Sequence, residues 1–276
     1  MILRLNEKQE NILRALANYK FLTYSQMIKL GIGKYSSNLS TEVKSLSDRR
    51  VPFVKKIPHR VTAQAKFFLT AKGKDLLVNQ FGLMEENIQY PKGTITTDTQ
   101  DEKHRTSIID FHIELDLSCK ANSTVLVFCD RYFDKVGNNR INKNLKSKTS
   151  VLYSEKRSII PDMVFKLETS KQQELYLLEL ENGKDTKKAV DKCTRHGKAL
   201  LNGYVNKKYN FQSGYRVLWI FEFESIMNAT IDRLRKDVFF NSLDEYFLFK
   251  PIDDVEDSFI DNWVNIRGEN RVMYYE

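Results

Sequence analysis

Apolar residues recur at helical spacing in the first fifty residues of the chain. Asn6 caps a first helix over about residues 6–18, whose apolar stripe holds Ile12, Leu13, Leu16 and Tyr19. A short second helix opens at Thr23 and closes near Gly31 and Gly33. A third helix has Ser36 or Ser37 as its cap and ends near Arg49 and Arg50, with these apolar positions directed inward: Leu39, Val43 and Leu46.

The pattern changes to strands after residue 50. Two apolar runs around a basic turn predict a hairpin, and a closing helix starts at Thr70. The order helix, short helix, helix, hairpin, helix is typical of a winged helix-turn-helix. A polar stretch at residues 84–100 holds Pro91 and Gly93 without periodicity, which predicts a linker.

The remaining pattern predicts a larger domain that mixes helices and strands. An amphipathic helix begins near Asp101 and carries His104 on the same stripe as Ile108, Phe111 and Leu115. Three strands, a helix over about residues 185–201, a strand, a helix near residues 225–240 and a final strand follow. This order predicts an α/β (mixed α+β) domain of about 150 residues with a mixed sheet flanked by helices.

These patterns divide the chain into four segments. Residues 1–83 form the winged helix-turn-helix, residues 84–100 the linker, residues 101–250 the mixed domain and residues 251–276 an acidic tail. The tail holds buried-looking aromatic residues and could dock on the domain, bind a partner or mimic DNA. A homodimer is a further arrangement that the sequence leaves open.

Composition narrows the class of protein. A chain of 276 residues with 41% hydrophobic residues can build two cores, and no run reaches the length of a membrane span. Three cysteines without metal-ligand spacing argue against disulfides and zinc. We therefore expect a cytoplasmic protein that does not enter the membrane.

Charge is concentrated at the N-terminal end. Residues 1–82 hold 15 Lys and Arg against 5 Asp and Glu, a net charge of +10, which leaves −2 of the total +8 for the rest. Such a block favours binding to a polyanion, although a solvated basic surface without a partner explains the charge alone equally well.

The winged helix-turn-helix pattern favours the first of these two explanations, with double-stranded DNA as the polyanion. In such a fold the third helix enters the major groove and the hairpin contacts the backbone. The predicted DNA-contacting residues are therefore Ser37, Asn38, Thr41 and Lys44 on the helix, with Lys55, Lys56, His59 and Arg60 on the hairpin. A winged fold used for protein contacts is the alternative.

Three carboxylates interrupt two apolar strands in SIIPDMVFKLETSKQQELYLLELENGK. Glu179 and Glu181 share one face of their strand, because side chains alternate, and Asp162 opens the preceding strand of a hairpin. Carboxylates that converge without Cys or His describe a Mg²⁺ or Mn²⁺ site. For any single acid, an exposed strand end is the simpler interpretation, and Pro161 is typical of an edge.

These residues resemble a known nuclease signature. Pro161-Asp162, followed by Glu179-Leu180-Glu181 on the next strand and then a helix, resembles PD-(D/E)xK in its restriction-endonuclease-like αβββαβ core. Together with the winged helix and KHRTSIIDF, the chain resembles the replication-relaxation family over roughly residues 5–250. Its MobC-type members are plasmid relaxases.

The resemblance implies a role for each matching residue. Asp162 and Glu179 would bind the divalent metal, whereas Glu181 stands where the signature has lysine and would be a further metal or water ligand. The missing positive charge would come from Lys192, with Lys187 or Lys188 as alternatives. His104 and Asn182 match the His and Asn of the MobC-type set.

Each of these residues also has a simpler explanation. His104 would be a core histidine, Asn182-Gly183 a turn, and Lys192 part of a solvated helix face.

The implied function is metal-dependent nicking of one DNA strand at a plasmid or mobile-element origin, with relaxosome or coupling proteins as partners. The alternative is a non-enzymatic replication or transcription regulator with a degenerate nuclease domain, which the glutamate at position 181 keeps open.

Overall fold

The computed structural model describes residues 4–57, 64–91, 101–137 and 145–274. The chain divides into two compact units, an N-terminal unit, Met1–Ile113, and a C-terminal unit, Glu114–Glu276. This division lies further along the chain than the polar stretch at residues 84–100, of which residues 92–100 lie outside the described residues.

The described residues of the N-terminal unit form four α-helices, a small antiparallel sheet and the first part of a fifth helix. The sheet order is β1-β3-β2. The helices are α1 (Glu7–Tyr19), α2 (Tyr24–Lys29), α3 (Ser36–Ser47), α4 (Ala71–Phe81) and α5 (Glu102–Ala121), and the strands are β1 (Leu22–Thr23), β2 (Val54–Lys56) and β3 (Lys66–Leu69).

Side-chain caps explain where the first helices begin. Asn6 and Gln9 form a reciprocal capping box at the start of α1, and Thr23 forms one with Gln26 at the start of α2. Gln9 also donates to Glu42 on α3 at 2.9 Å. The cap of α1 therefore also fixes α3 against it.

The start of α3 corrects the sequence prediction. The N-cap residue is Tyr35, which supplies no side-chain hydrogen bond, and Ser36 is already the first helical residue. The inward face is as expected, because Leu39, Val43 and Leu46 are buried.

The C-terminal unit is built on a mixed seven-stranded sheet. Its order is β14-β13-β12-β11-β10-β9-β4. The strands are β4 (Val125–Arg131), β9 (Met163–Glu168), β10 (Gln173–Glu181), β11 (Tyr215–Phe221), β12 (Phe247–Pro251), β13 (Trp263–Asn265) and β14 (Asn270–Arg271). Two small hairpins precede β9: β5 (Lys135–Val136) with β6 (Lys146–Ser147), and β7 (Val151–Leu152) with β8 (Ser158–Ile159).

Helices connect the parallel strands at the centre of this sheet. β10, β11 and β12 are parallel, whereas β4, β9, β13 and β14 each run antiparallel to their neighbours. The helices are α6 (Thr186–Leu201), α7 (Tyr204–Tyr209) and α8 (Glu224–Lys236). The expected mixed α/β sheet flanked by helices is confirmed.

The main core fills the space between one sheet face and the helices α6 and α8. Leu177, Trp219 and Phe249 project from the sheet into it, and Cys193 and Leu234 meet them from the helices. Because side chains alternate along a strand, Glu179 lies on the same core-facing side of β10 as Leu177. The sheet thus places a carboxylate at the end of an apolar core.

The segment after β12 is part of the sheet. Trp263 in β13 is fully buried, and the buried Lys250 donates to the carbonyl oxygen of Asp261 at 2.5 Å. The Met273 carbonyl accepts hydrogen bonds from Tyr176 and Arg216. Residues 251–274 therefore complete the C-terminal unit, and docking on the domain is one of the roles that the sequence left open for this acidic tail.

In the described part of the chain, every helix is too short or too polar to cross a membrane.

Candidate functional site

Asp162 lies at the point where the β9-β10 hairpin ends. Its backbone N–H donates to the Leu178 carbonyl at 3.0 Å, and its Oδ2 accepts the Leu180 N–H at 2.8 Å. The carboxylate therefore takes the place of a backbone carbonyl as the acceptor for the Leu180 N–H, just before the first residue of β9. Because both bonds are made to β10, Asp162 is fixed against that strand, and the residue is 6% exposed.

Glu179 is a completely buried carboxylate with a partner on each oxygen. Oε2 lies 2.5 Å from Lys192 Nζ, and Oε1 lies 2.5 Å from His196 Nε2. A buried carboxylate is costly unless it is paired and hydrogen-bonded, and α6 supplies both partners.

Lys192 is the cation at this site. Its ammonium lies 5.7 Å from the centre of the Trp219 ring, and its side chain keeps 32% exposure. Burial on its own would lower the pKa of Lys192, but Glu179 first, then Asp162 and Glu181, outweigh it and raise that pKa above its ordinary value. All three carboxylates predicted from sequence therefore act on one cation, the lysine.

The residues after Glu179 form a tight turn at the strand end. Glu181 is half-buried, and its Oε1 accepts the Gly183 N–H at 2.8 Å. A Cβ on Gly183 would lie 2.6 Å from the same oxygen, so a larger residue at this position would have to displace the Glu181 carboxylate. Asn182 Oδ1 is buried and makes no hydrogen bond within the described ranges.

The described residues contain no group of three or more His, Cys, Asp or Glu side chains placed to hold a metal ion. Mg²⁺ in proteins usually takes one or two carboxylates and completes its shell with water and substrate phosphate. Asp162 and Glu179 supply two carboxylates of the kind required, and in the structure the cation on Glu179 Oε2 is the Lys192 ammonium.

Two further lysines and a histidine were also predicted for this site. Lys187 and Lys188 are exposed on the first turn of α6, where their backbone N–H groups bond to the Asp185 cap. His104 belongs to the N-terminal unit, half-buried in the first turns of α5. Its participation in the site stays a prediction.

The predicted DNA-contacting face of α3 is solvent-exposed. Ser37, Asn38, Thr41 and Lys44 are all exposed, and so are Lys55 and Lys56 on β2. His59 and Arg60 lie outside the described residues. The exposed Tyr35 beside this helix was not singled out from sequence.

His196 is the residue of the carboxylate cluster that sequence reasoning missed. The only signal was its spacing, since it follows Lys192 by four residues and therefore shares a helix face with it. Its partner Glu179 is 17 residues away on another element. Nothing in the local sequence indicates that contact.

Comparisons with models of protein families, with curated proteins and with solved structures found no match.

Proposed function

We propose that this protein is a metal-dependent endonuclease that nicks one strand of DNA at an origin of a plasmid or mobile element. The observation that carries the proposal is the Lys192–Glu179 pair, formed at a strand end where Asp162 and Glu181 also act on the lysine. Two acids and a lysine from adjacent elements are what the nuclease resemblance requires. Here the lysine comes from the helix instead of position 181.

Each side chain of the cluster has a task in this reaction. Asp162 and Glu179 would hold the divalent cation, and the Leu180 N–H and His196 keep those carboxylates in place. The Lys192 ammonium, whose side chain reaches solvent, would offer its positive charge to a non-bridging oxygen of the scissile phosphate. Glu179 first, then Asp162 and Glu181, favour the charged form of that ammonium.

Bound Mg²⁺ or Mn²⁺ would polarise the phosphate and lower the pKa of the attacking water.

The N-terminal unit supplies the DNA contact in this proposal, as a winged helix-turn-helix. The exposed polar face of α3 fits a major groove, and Lys55 and Lys56 fit the backbone beside it. This unit would select the origin, and the C-terminal unit would cut in the cytoplasm.

Supercoiled origin plasmid incubated with the protein and Mn²⁺ tests the proposal. We expect wild type to convert it to the open circular form, and Asp162→Asn and Lys192→Met to lose this activity. Glu168→Gln is the matched control, because Glu168 is an exposed acid at the far end of β9. Equal nicking by wild type and Asp162→Asn would show that the activity comes from elsewhere.

A DNA-binding regulator is the second candidate. It is favoured by the fact that Lys192 and His196 already balance Glu179 without a metal. Calorimetric titration with Mn²⁺ separates the two functions. A regulator would bind DNA but show no heat that depends on Glu179.

A further inference from the structure

Two residues one helical turn apart hold the two oxygens of a single buried carboxylate. Lys192 contacts Oε2 of Glu179 and His196 contacts Oε1, each at 2.5 Å. Both lie on the same face of α6, because residues i and i+4 stack along a helix. Their exposure differs, since Lys192 reaches solvent and His196 is fully buried.

The surroundings of His196 fix its ring. Trp219 packs against the imidazole in an edge-on arrangement, with 6.0 Å between ring centres. The other ring nitrogen, Nδ1, is buried and has no hydrogen-bond partner within the described residues. An ionised carboxylate only accepts hydrogen bonds, so Nε2 carries the hydrogen that reaches Glu179.

We propose that His196 is a positioning residue for the metal ligand Glu179. By donating to Oε1, it turns Oε2 towards the position that Lys192 occupies and that a divalent cation would take. This inference rests on the proposed nuclease function. Donors behind a metal-ligating carboxylate typically contribute about 10-fold to 100-fold in metal affinity.

The alternative for His196 is a purely structural role, as a ring that fills space beside Trp219. A substitution that keeps a flat ring but removes the donor separates the two roles. His196→Phe is that variant, and His196→Gln restores a donor without the ring. A structural role predicts that phenylalanine is the better replacement, whereas positioning predicts that glutamine is.

The first experiment is calorimetric titration of the full chain with Mn²⁺, alongside nicking kinetics. We expect His196→Phe to bind Mn²⁺ about 10-fold to 100-fold more weakly. Nicking by this variant should recover as Mn²⁺ is raised, and His196→Gln should regain most of the affinity. Equal Mn²⁺ affinity in wild type and a folded His196→Phe would overturn the positioning role and leave the nuclease proposal intact.

A metal-free measurement covers the case in which His196→Phe does not fold. In ¹⁵N-labelled wild-type protein, His196 Nε2–H should give a downfield, slowly exchanging proton signal that moves upfield in Glu179→Gln. The absence of that signal from wild type would overturn the inference by itself. Wild type that neither binds Mn²⁺ nor nicks DNA would instead overturn the proposed function.

Discussion

Glu179 has no access to solvent, so the cost of burying its charge depends on the two side chains that contact it. Replacing Lys192 by methionine leaves the carboxylate buried with His196 alone, and we expect a loss of about 3 kcal/mol in the free energy of unfolding. Glu179→Gln should cost only about 1 kcal/mol, because the lysine left behind can reach water. Urea denaturation measures both values.

Lys198→Met is the control for this comparison, since Lys198 is an exposed lysine on the same helix. Equal costs for Lys192→Met and Glu179→Gln would mean that the carboxylate is not the more deeply buried partner.

Gly183 tests the role of Glu181. Alanine at position 183 would place its Cβ 2.6 Å from Glu181 Oε1. A flexible carboxylate can move away, so the free energy of unfolding should change by less than about 1 kcal/mol. The displaced charge should nevertheless lower the nicking rate several-fold, as measured on supercoiled plasmid.

Lys184→Ala is the neighbouring control for Gly183→Ala, because Lys184 is exposed beside the turn. If Gly183→Ala nicks supercoiled plasmid at the wild-type rate, Glu181 has no part in the reaction.

Individual residues of the site differ in how far sequence could predict them. Asp162 and Glu179 were predicted from strand alternation and a short signature, and Lys192 was one of three lysines that the resemblance offered; the structure pairs Lys192 with Glu179, and Asp162 also raises the pKa of that lysine. His196 could not be predicted, because its contact depends on how α6 rotates over β10. That rotation is fixed by packing against residues such as Trp219, which lie far away in the sequence.

At the scale of elements, α4 lies very close to the backbone of the residue before β2. A Cβ on Gly73 would be 2.3 Å from the carbonyl oxygen of Phe53, a backbone atom that accepts the Thr70 N–H and cannot easily move. We expect Gly73→Ala to lower the free energy of unfolding by about 2 kcal/mol despite the better helix propensity of alanine. Chemical denaturation of the full chain measures it.

Lys72→Ala provides the comparison for Gly73→Ala, since residue 72 is exposed one position earlier on α4. Gly73→Ala as stable as Lys72→Ala would show that the helix can shift.

Lys250 links β12 to the loop that follows it and makes stability depend on pH. Burial lowers the pKa of Lys250 to about 8 from an ordinary 10.5. Between these values the unfolded chain binds more protons than the folded one, so this group makes stability rise with pH. Below pH 8 Lys250 is charged in the folded protein, and burial of that charge lowers the free energy of unfolding by at most roughly 3 kcal/mol.

Urea denaturation at pH 7.5 and pH 9.5 measures this dependence. Wild type should gain stability relative to Lys250→Met as the pH rises. A difference between the two proteins that stays constant would show that Lys250 does not lose its proton in this range.

Long helices and strands were predicted to within a few residues, whereas very short strands were not predicted. The helix expected at about residues 185–201 is α6, and the strands β9 and β10 pair as a hairpin as expected. The strands β5 to β8, β13 and β14 have two or three residues each, which is too few to show alternation. Such strands exist only through their partners, which the local sequence does not reveal.

At the scale of the whole molecule, the positive net charge is concentrated in the N-terminal third of the chain. The net charge of +10 in residues 1–82 predicts that DNA affinity falls steeply with salt. Lys44→Ala should lower the slope of log affinity against log salt by about 1. Fluorescence anisotropy with labelled duplex DNA at several salt concentrations measures that slope.

Lys171→Ala removes the same charge from the exposed turn between β9 and β10 and serves as the control. An equal change in slope for Lys171→Ala and Lys44→Ala would mean that DNA is not held preferentially by the exposed face of α3.

The position of β13 and β14 in the sheet has a consequence for synthesis of the protein. During translation β12 emerges before them, and until its neighbour β13 has left the ribosome the outer edge of β12 has no partner. An open strand edge next to buried aromatic residues is prone to pair with other chains. Premature termination between residues 252 and 262 should therefore yield aggregates instead of a shortened but working protein.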